Sequence, residues 1–122
     1  MYRELEIWKD SVALIKEIYY YADLLPKSED FNLKSQIKRA IVSVTLNISE
    51  GKCKSTAKDF AHFLNIASAS LSEVETIMYI CLELGYFKNI NIDKTLNNIK
   101  ILNKRINALR NKQVKEMKNG KQ

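Results

Sequence analysis

The scarcity of residues that end helices constrains this sequence more than any other feature. Only three glycines and one proline occur in 122 residues, whereas β-sandwiches and β-barrels need many tight turns. The few breaks fall at Pro26, Gly51 and Gly85 and divide the chain into long segments. Because the length leaves room for one ordinary core and 46% of the residues are hydrophobic, we expect a single all-α domain.

Apolar residues recur every three or four positions in four segments, which is the pattern of amphipathic helices. The predicted helices cover about residues 3–25, 29 or 32 to 50, 56–84 and 93–115. Short connections between long helices favour an antiparallel up-down-up-down four-helix bundle that spans residues 1–122.

The ends of these helices are also predicted. Ser55 is the expected N-cap of the third helix, and Asn91 or Asp93 that of the fourth. Gly51 and Gly85 are expected to follow the last turns of the second and third helices. Residues 116–122 are expected to form a frayed basic tail.

Each helix carries an apolar stripe that is predicted to face the core. The stripe of the first helix comprises Leu5, Trp8, Val12, Ile15, Tyr19 and Ala22. That of the second comprises Leu33, Ile37, Ala40, Ile41, Val44 and Ile48. That of the third comprises Phe60, Phe63, Leu64, Ala67, Leu71, Val74, Met78 and Cys81. That of the fourth comprises Leu96, Ile99, Leu102, Ile106 and Leu109.

The second helix also carries a narrow polar stripe with apolar residues on both sides. Its members are Gln36, Arg39, Ser43, Asn47 and Glu50. An ordinary solvated face is not flanked in this way, so we expect the stripe to be buried between helices or between subunits, with its members hydrogen-bonded to one another. Thr45 and Ser49, in contrast, are predicted to point to water.

A second apolar strip predicts self-association. On the third helix it comprises Ile66, Ala69, Ile77 and Ile80, with Glu73 in its middle, and Val42 and Leu46 add to it from the second helix. Together these residues exceed the apolar surface that a small bundle buries by itself, so they are the candidate oligomer interface. The alternative is that the third helix is central and contacted on two sides.

The positive charge is concentrated at the C-terminal end of the sequence. The formal net charge is +6, and residues 94–122 contain nine basic side chains but only one acidic one. This asymmetry favours a polyanionic partner, nucleic acid first and an acidic protein second. The alternative is a solvated lysine-rich helix that keeps the protein soluble. The candidate nucleic-acid-binding residues are Lys100, Lys104, Arg105, Arg110, Lys112 and Lys115, with Lys52, Lys54 and Lys58 as a rim.

Catalytic and metal-binding patterns are absent from the sequence. Cys53, Cys81 and His62 cannot provide four zinc ligands, and no nucleophile, phosphate-loop or dinucleotide motif occurs. Glu50, Glu73 and Glu75 are better explained as members of an ion-pair network than as metal ligands. We therefore expect no enzymatic activity, no cofactor and no metal.

The sequence also favours a cytoplasmic protein without a membrane partner. No run of 18 apolar residues occurs, and the acidic, amphipathic start does not look like a signal peptide.

A dense motif in the second and third helices resembles a known family. It runs from Phe31 through Ser35-Gln36, Arg39-Ala40, Ser43-Val44 and Asn47-Ile48 to Glu50-Gly51. It continues from Ser55 through Lys58-Asp59-Phe60, Phe63-Leu64, Ile66-Ala67 and Ser70 to Glu73, Glu75 and Thr76. Together with the opening Tyr2-Arg3-Glu4-Leu5 and Trp8, this pattern resembles the bacterial four-helix-bundle proteins encoded within intervening sequences of 23S rRNA genes.

The resemblance implies a ring, typically a homopentamer, and implies no catalytic residues. The accessory variability determinant of diversity-generating retroelements, a basic pentamer that binds nucleic acid and partners a reverse transcriptase, looks like a relative. The residues that match the signature positions are Gln36, Arg39, Ser43, Asn47, Glu50, Ser70, Glu73 and Glu75. Their chemistry suggests a structural polar network in which Arg39 pairs with Glu73 or Glu75 on the neighbouring helix or subunit.

These observations lead to one functional hypothesis and one alternative. The first is a non-enzymatic homo-oligomer, expected to be pentameric, that binds nucleic acid, and structured RNA in particular, through its basic C-terminal helix. The alternative is a protein-interaction scaffold or accessory subunit, for example of a reverse transcriptase, that does not bind nucleic acid by itself.

Overall fold

The chain forms the predicted four helices. The computed structural model describes residues 2–120, and the side chains of residues 4–120. The helices are α1 (Tyr2–Ala22), α2 (Leu33–Lys52), α3 (Ala57–Glu83) and α4 (Asp93–Lys118), and a 3-10 turn (Lys27–Glu29) precedes α2. No strand occurs among the described residues. The all-α fold class is therefore confirmed.

The helices are arranged as an up-down-up-down bundle. Each helix contacts the next in sequence, and α1 closes the square against α4. Trp8 reaches Ser49, Ser43 reaches Ser70, and Arg110 reaches Asn65, so successive helices run antiparallel. None of the described helices contains an apolar stretch long enough to cross a membrane.

The predicted core stripes of three helices are confirmed. All the predicted core residues of α2 and α4 are buried, and so are those of α3 except Phe63, which is half-buried. These stripes meet in one contiguous cluster with Phe87 and Ile92 from the α3–α4 connection. Burial of apolar side chains from every helix is the main force that holds the bundle together.

The predicted stripe of α1 is wrong in part. Leu5 is 42% exposed, and the buried residues are Ile7, Ser11, Leu14, Ile18 and Ala22. Trp8, Ile15 and Tyr19 instead pack against the edge of the core. The helix is therefore rotated from the expected register, and a serine occupies a central core position.

Hydrogen bonds across the α1–α2 contact explain this rotation. The Ser11 hydroxyl donates to the Trp8 carbonyl oxygen over 2.7 Å, and its oxygen lies 2.8 Å from the Thr45 hydroxyl oxygen. The Trp8 indole nitrogen donates to Ser49 Oγ over 2.9 Å. Thr45 and Ser49 were both expected to point to water, and both expectations are wrong. Because each hydroxyl has a hydrogen-bond partner, the core tolerates both.

The helix ends differ from the predictions at three places. Thr56, rather than Ser55, is the N-cap of α3, since its hydroxyl accepts a hydrogen bond from the Asp59 amide. Ile92 is the N-cap of α4 and supplies no side-chain bond, although Asn91 Oδ1 accepts from the Asp93 amide. Helix α4 continues to Lys118, so the predicted frayed tail is wrong for residues 116–118, and residues 121–122 lie outside the described residues.

Gly85 ends α3 as predicted. Its φ of 81° lies in the left-handed region that glycine adopts without steric cost. The Gly85 amide donates to the Leu82 carbonyl, and the Tyr86 amide donates to that of Cys81, which satisfies two of the free carbonyls at the helix end.

Gly51, in contrast, does not follow α2 but lies within its last turn. It is buried, and a Cβ atom placed on it would lie 2.8 Å from Cδ1 of Phe60 and 3.1 Å from Cβ of Phe63. Glycine is therefore required here because α3 passes close to the backbone of α2, and not because the helix ends.

We predict that Gly51→Ala destabilises the protein by about 1–3 kcal/mol through overpacking against Phe60. Elsewhere in a helix the same change stabilises by roughly 0.5–1 kcal/mol, so the sign of the effect is diagnostic. Urea unfolding measures it, with Lys52→Ala in the same exposed turn as a control that shifts stability by less than about 0.5 kcal/mol. A stabilised Gly51→Ala protein would contradict the close approach.

A hydrogen bond joins the two connections at the other end of the bundle. The Tyr86 hydroxyl donates to Glu29 Oε2 over 2.7 Å, and the other carboxylate oxygen of Glu29 accepts from Asn32 Nδ2 over 2.9 Å. The hydrogen bond from Tyr86 lowers the pKa of Glu29, and the same bond raises the pKa of Tyr86. Ionised Glu29 therefore stabilises this end of the fold.

We predict that Tyr86→Phe raises the pKa of Glu29 towards its ordinary value. Because the folded pKa of Glu29 lies below the unfolded one, the contribution of Glu29 to stability is complete above the unfolded pKa and is lost as the pH falls through the folded pKa. An NMR titration of the Glu29 carboxyl carbon measures this pKa, and Tyr20→Phe serves as a control. An unchanged titration in Tyr86→Phe would show that the bond does not form in solution.

Candidate functional site

The outer half of α4 is a strip of exposed cationic side chains. Lys100, Lys104 and Lys115, all predicted from the sequence, are exposed and make no ion pair among the described residues. By the helical pitch, Lys94 and Lys118 lie on the same outward half. These ammonium groups are free to contact an external anion. The sequence analysis did not single out Lys94 as a candidate.

Two of the other three candidates on α4 are engaged within the protomer, whereas Lys112 is exposed. Arg105 forms an ion pair with Asp10, with 2.5 Å between Nη1 and Oδ2. Arg110 is half-buried and donates to Asn65 Oδ1 over 2.9 Å. Lys112 interacts electrostatically with Glu4. Because Arg105 pairs with Asp10 of α1 and Arg110 donates to Asn65 of α3, the two arginines mainly link α4 to its neighbouring helices.

The rim residues of the α2–α3 turn lie at the same end of the bundle as the C-terminus of α4. The Trp8–Ser49 and Asn65–Arg110 contacts establish this, because they join the end of α2, the start of α3 and the end of α4. Lys52 is exposed, whereas Lys54 forms a 3.3 Å ion pair with Glu50 and lies 5.2 Å from the centre of the Phe63 ring. The basic residues of the α2–α3 turn and those near the C-terminus of α4 are distant in sequence, but they lie at the same end of the bundle.

Three of the five asparagines of α4, namely Asn98, Asn103 and Asn107, form hydrogen bonds within the bundle, whereas Asn97 and Asn111 are exposed. Asn103 Oδ1 accepts a 2.7 Å hydrogen bond from Ser68 and one of 3.3 Å from Asn107. Asn98 Nδ2 donates to both carboxylate oxygens of Glu17 over 3.2 Å. These side chains are oriented towards α3 and α1, so lysine is the residue type that dominates the outward face.

The polar stripe of α2 forms a partial network at the surface. Ser43 Oγ lies 3.0 Å from Ser70 Oγ on α3, and Asn47 Nδ2 donates to the Ser43 hydroxyl over 3.0 Å and to its carbonyl over 2.8 Å. Glu75 is half-buried, whereas Gln36, Arg39, Glu50 and Glu73 are exposed. Within one protomer the stripe is therefore only partly buried, and its burial between subunits stays a prediction.

Arg39 does not form the expected ion pair. Its guanidinium donates to the neutral hydroxyl of Ser35, and no ion pair joins it to Glu73 or Glu75 among the described residues. Arg39 and Glu73 nevertheless line the same groove between α2 and α3, which has a volume of about 210 Å³. Two opposite charges, those of Arg39 and Glu73, thus lie on an open face without forming an ion pair with each other.

Most of the second apolar strip lies on that same face. Leu46 is 62% exposed, Ile80 is 40% exposed, Ala69 is exposed, and Ile66 and Val42 are half-buried. Ile77 differs, since it is only 3% exposed and belongs to the protomer's own core. This side chain therefore packs into the protomer's own core and offers little surface to the predicted oligomer interface.

The thiols and the histidine do not gather into a reactive site. Burial raises the pKa of Cys81 to about 11, which keeps this thiol protonated and unreactive. Cys53 and His62 are exposed, and the His62 ring lies edge-on to Phe63. No group of three or more potential metal ligands occurs among the described residues.

Comparison with known proteins assigns the chain to a family. The model of the 23S rRNA-intervening sequence protein family matches residues 3–108, and the chain belongs to this family. A crystal structure of a protein of unknown function from the S23 ribosomal protein family of Bacteroides thetaiotaomicron is similar in fold, with a TM-score of 0.79 and 22% identity. The match covers 89% of this chain and 98% of that one. None of the curated proteins compared with the chain matches it.

We predict that Arg39→Ala changes the free energy of unfolding of the isolated protomer by less than about 0.5 kcal/mol, because Arg39 is exposed and pairs with no carboxylate. Asn47→Ala should cost about 1 kcal/mol, since it removes hydrogen bonds to Ser43. Denaturant unfolding at high dilution compares the two variants. Unfolding of the Arg39→Ala protomer under native conditions would contradict the surface position of this side chain.

Proposed function

We propose that this protein is a non-enzymatic homo-oligomer, expected to be a pentamer, that binds structured RNA electrostatically through the outer face of α4. The observation that carries the proposal is the strip of exposed lysines Lys100, Lys104 and Lys115, which make no ion pair among the described residues. Such side chains need no internal rearrangement before they contact phosphates.

The chemistry of the strip favours recognition of charge and shape. Lysine contacts a phosphate as a point charge and reads no base edge, and α4 presents no aromatic side chain for stacking. Each contact releases counterions from the nucleic acid, so the affinity should fall steeply as salt is raised. Little sequence preference is expected.

Assembly compensates for the weakness of a single strip. The α2–α3 face combines the exposed Leu46 and Ile80 with the unjoined charges of Arg39 and Glu73. Exposed apolar groups surrounded by polar ones are typical of protein interfaces. Because α4 lies diagonally across the bundle from α2, association through α2 leaves α4 open. Several strips on one oligomer would then bind one RNA with increased avidity.

The family supports RNA as the first ligand to test. Its description connects its members with the 23S rRNA through an intervening sequence. A highly charged, structured RNA is therefore the natural probe. An acidic protein partner, such as a reverse transcriptase, is the competing outcome, in which naked RNA would not compete for the α4 face.

We predict that the triple variant Lys100→Gln, Lys104→Gln, Lys115→Gln weakens binding of an RNA hairpin and flattens its salt dependence. For single-stranded contacts each lost phosphate contact lowers the slope of log K against log salt by about 0.7, and for a duplex by about 0.9. Fluorescence anisotropy over a series of salt concentrations measures both quantities.

The matched control is Lys16→Gln, Lys27→Gln, Lys88→Gln, which removes the same charge from exposed positions outside α4. It should retain most of the affinity and most of the slope. Equal losses in the two triple variants would show that net charge, and not the α4 strip, governs binding. Unchanged binding in the α4 variant would refute the proposed site.

A further inference from the structure

Phe31 is an aromatic side chain that contacts almost nothing in its own protomer. It is 99% exposed and lies between the 3-10 turn and the start of α2. The chain around it is fixed, because Glu29 accepts hydrogen bonds from Asn32 and Tyr86. A phenyl ring held in water on a well-bonded segment forgoes about 150–250 Å² of apolar burial. Its exposure therefore points to a role outside the protomer.

An open groove with apolar walls lies further along α2, away from the end of the helix that Phe31 precedes. It runs between α1 and α2, has a volume of about 440 Å³, and is walled by Tyr19, Val42 and Leu46. Leu46, 62% exposed, has the largest unburied apolar surface among them. Arg39 and Lys38 form the basic rim of the groove. The groove is large enough to accept one aromatic side chain.

We propose that Phe31 of one copy of this chain inserts into the Val42–Leu46 groove of a neighbouring copy. This inference rests on the oligomeric assembly in the proposed function and specifies its contact. It adds Phe31, which the sequence analysis did not assign to any interface. It also makes each interface depend on a side chain from one copy and a groove from the next.

Charge complementarity supports a second copy as the occupant of the groove. Phe31 follows the acidic residues Glu29 and Asp30, whereas the groove has a basic rim. Asp30 already pairs with Lys34 over 3.1 Å, so Glu29 is the carboxylate that can complement the rim. Lys38 already pairs with Asp23 over 2.7 Å, but Arg39 contacts only the neutral Ser35. The Arg39 guanidinium is thus available to lie over the Phe31 ring or beside the Glu29 carboxylate.

The geometry requires the contact to be between copies. Phe31 precedes α2, and the distance from Leu33, the first residue of α2, to Val42 is about 13 Å along the helix axis at the rise of an α-helix. Phe31 therefore cannot reach the groove of its own protomer while α2 remains helical. Because the inserted residue and the groove are different surface patches, their pairing is heterologous and generates a ring if the rotation closes.

The test uses the fact that Phe31 buries nothing in the protomer. Phe31→Ala should leave thermal unfolding of the isolated protomer unchanged and should weaken self-association on the order of 10- to 100-fold. Leu46→Asp, which places a charge in the groove, should have the same effect. Ile101→Ala, which shortens an exposed apolar side chain on α4, is the control and should assemble like the unmodified protein. Sedimentation velocity over a dilution series measures association.

Mixing the two defective variants tests the direction of the contact. The Phe31→Ala chain retains an intact groove, and the Leu46→Asp chain retains an intact Phe31. One productive contact can therefore form between them, and an equimolar mixture should yield heterodimers that neither variant forms alone. A mixture that remains entirely protomeric would overturn the pairing of Phe31 with this groove.

Failure of this inference is distinguishable from failure of the proposed function. If the unmodified protein assembles and Phe31→Ala assembles equally well, the Phe31 contact is refuted while the proposed oligomer stands. If the unmodified protein is a protomer throughout the dilution series, both the contact and the proposed assembly are refuted. RNA affinity, measured separately on the unmodified protein, decides the nucleic-acid part of the proposal.

Discussion

The close approach of α2 to α3 is the constraint on which the rest of the structure depends. These two helices make the most extensive contact in the bundle, and small residues allow it. Ala40 and Ala67 are buried, Ser43 and Ser70 bring their hydroxyl oxygens within 3.0 Å, and Gly51 leaves space for an aromatic ring. Since the backbones are close, the longer side chains of both helices are directed away from the seam, either into the core or to the outside.

That arrangement separates the molecule into surfaces of different chemistry. On the α2–α3 side, exposed aliphatic residues lie next to Arg39 and Glu73. On the diagonal side, α4 buries one apolar stripe and presents lysines on its opposite half. Arg105 and Arg110 join this cationic helix to α1 and α3. One side thus suits association with another copy, and the other suits a polyanion.

The sequence predicted the core stripes of three helices well. Those of α2 and α4 match the buried residues, although Val42 and Leu46 give α2 a second apolar strip. Helix α1 carries apolar residues in two registers, and the correct one includes Ser11. That serine is satisfied in the core by the Trp8 carbonyl of its own helix and by Thr45, 34 residues away, and periodicity within one helix reveals neither contact. Gly51 was misassigned for a related reason, since its role depends on Phe60 of another helix.

The candidate site was only partly predictable for the same physical reason. Sequence patterns identify which helix carries the positive charge, but Lys100 and Arg105 look equivalent until Asp10 is found beside the arginine. Arg39 pairs with no carboxylate within the protomer, and Ile77 is buried in the core, because contacts with the neighbouring helices decide where each side chain lies. Phe31 belongs to a motif that the sequence analysis quoted, yet only its exposure in the fold distinguishes it from a core residue.

The most direct test of the account is the light-scattering mass of the purified protein with and without a short structured RNA, at low and high salt. The account predicts an assembly of several protomers, near five, that gains the mass of RNA at low salt and loses it at high salt. An assembly that gains no RNA mass at low salt would contradict nucleic-acid binding by the lysine strip, and a mass of a single protomer under all conditions would contradict the assembly on which its avidity depends.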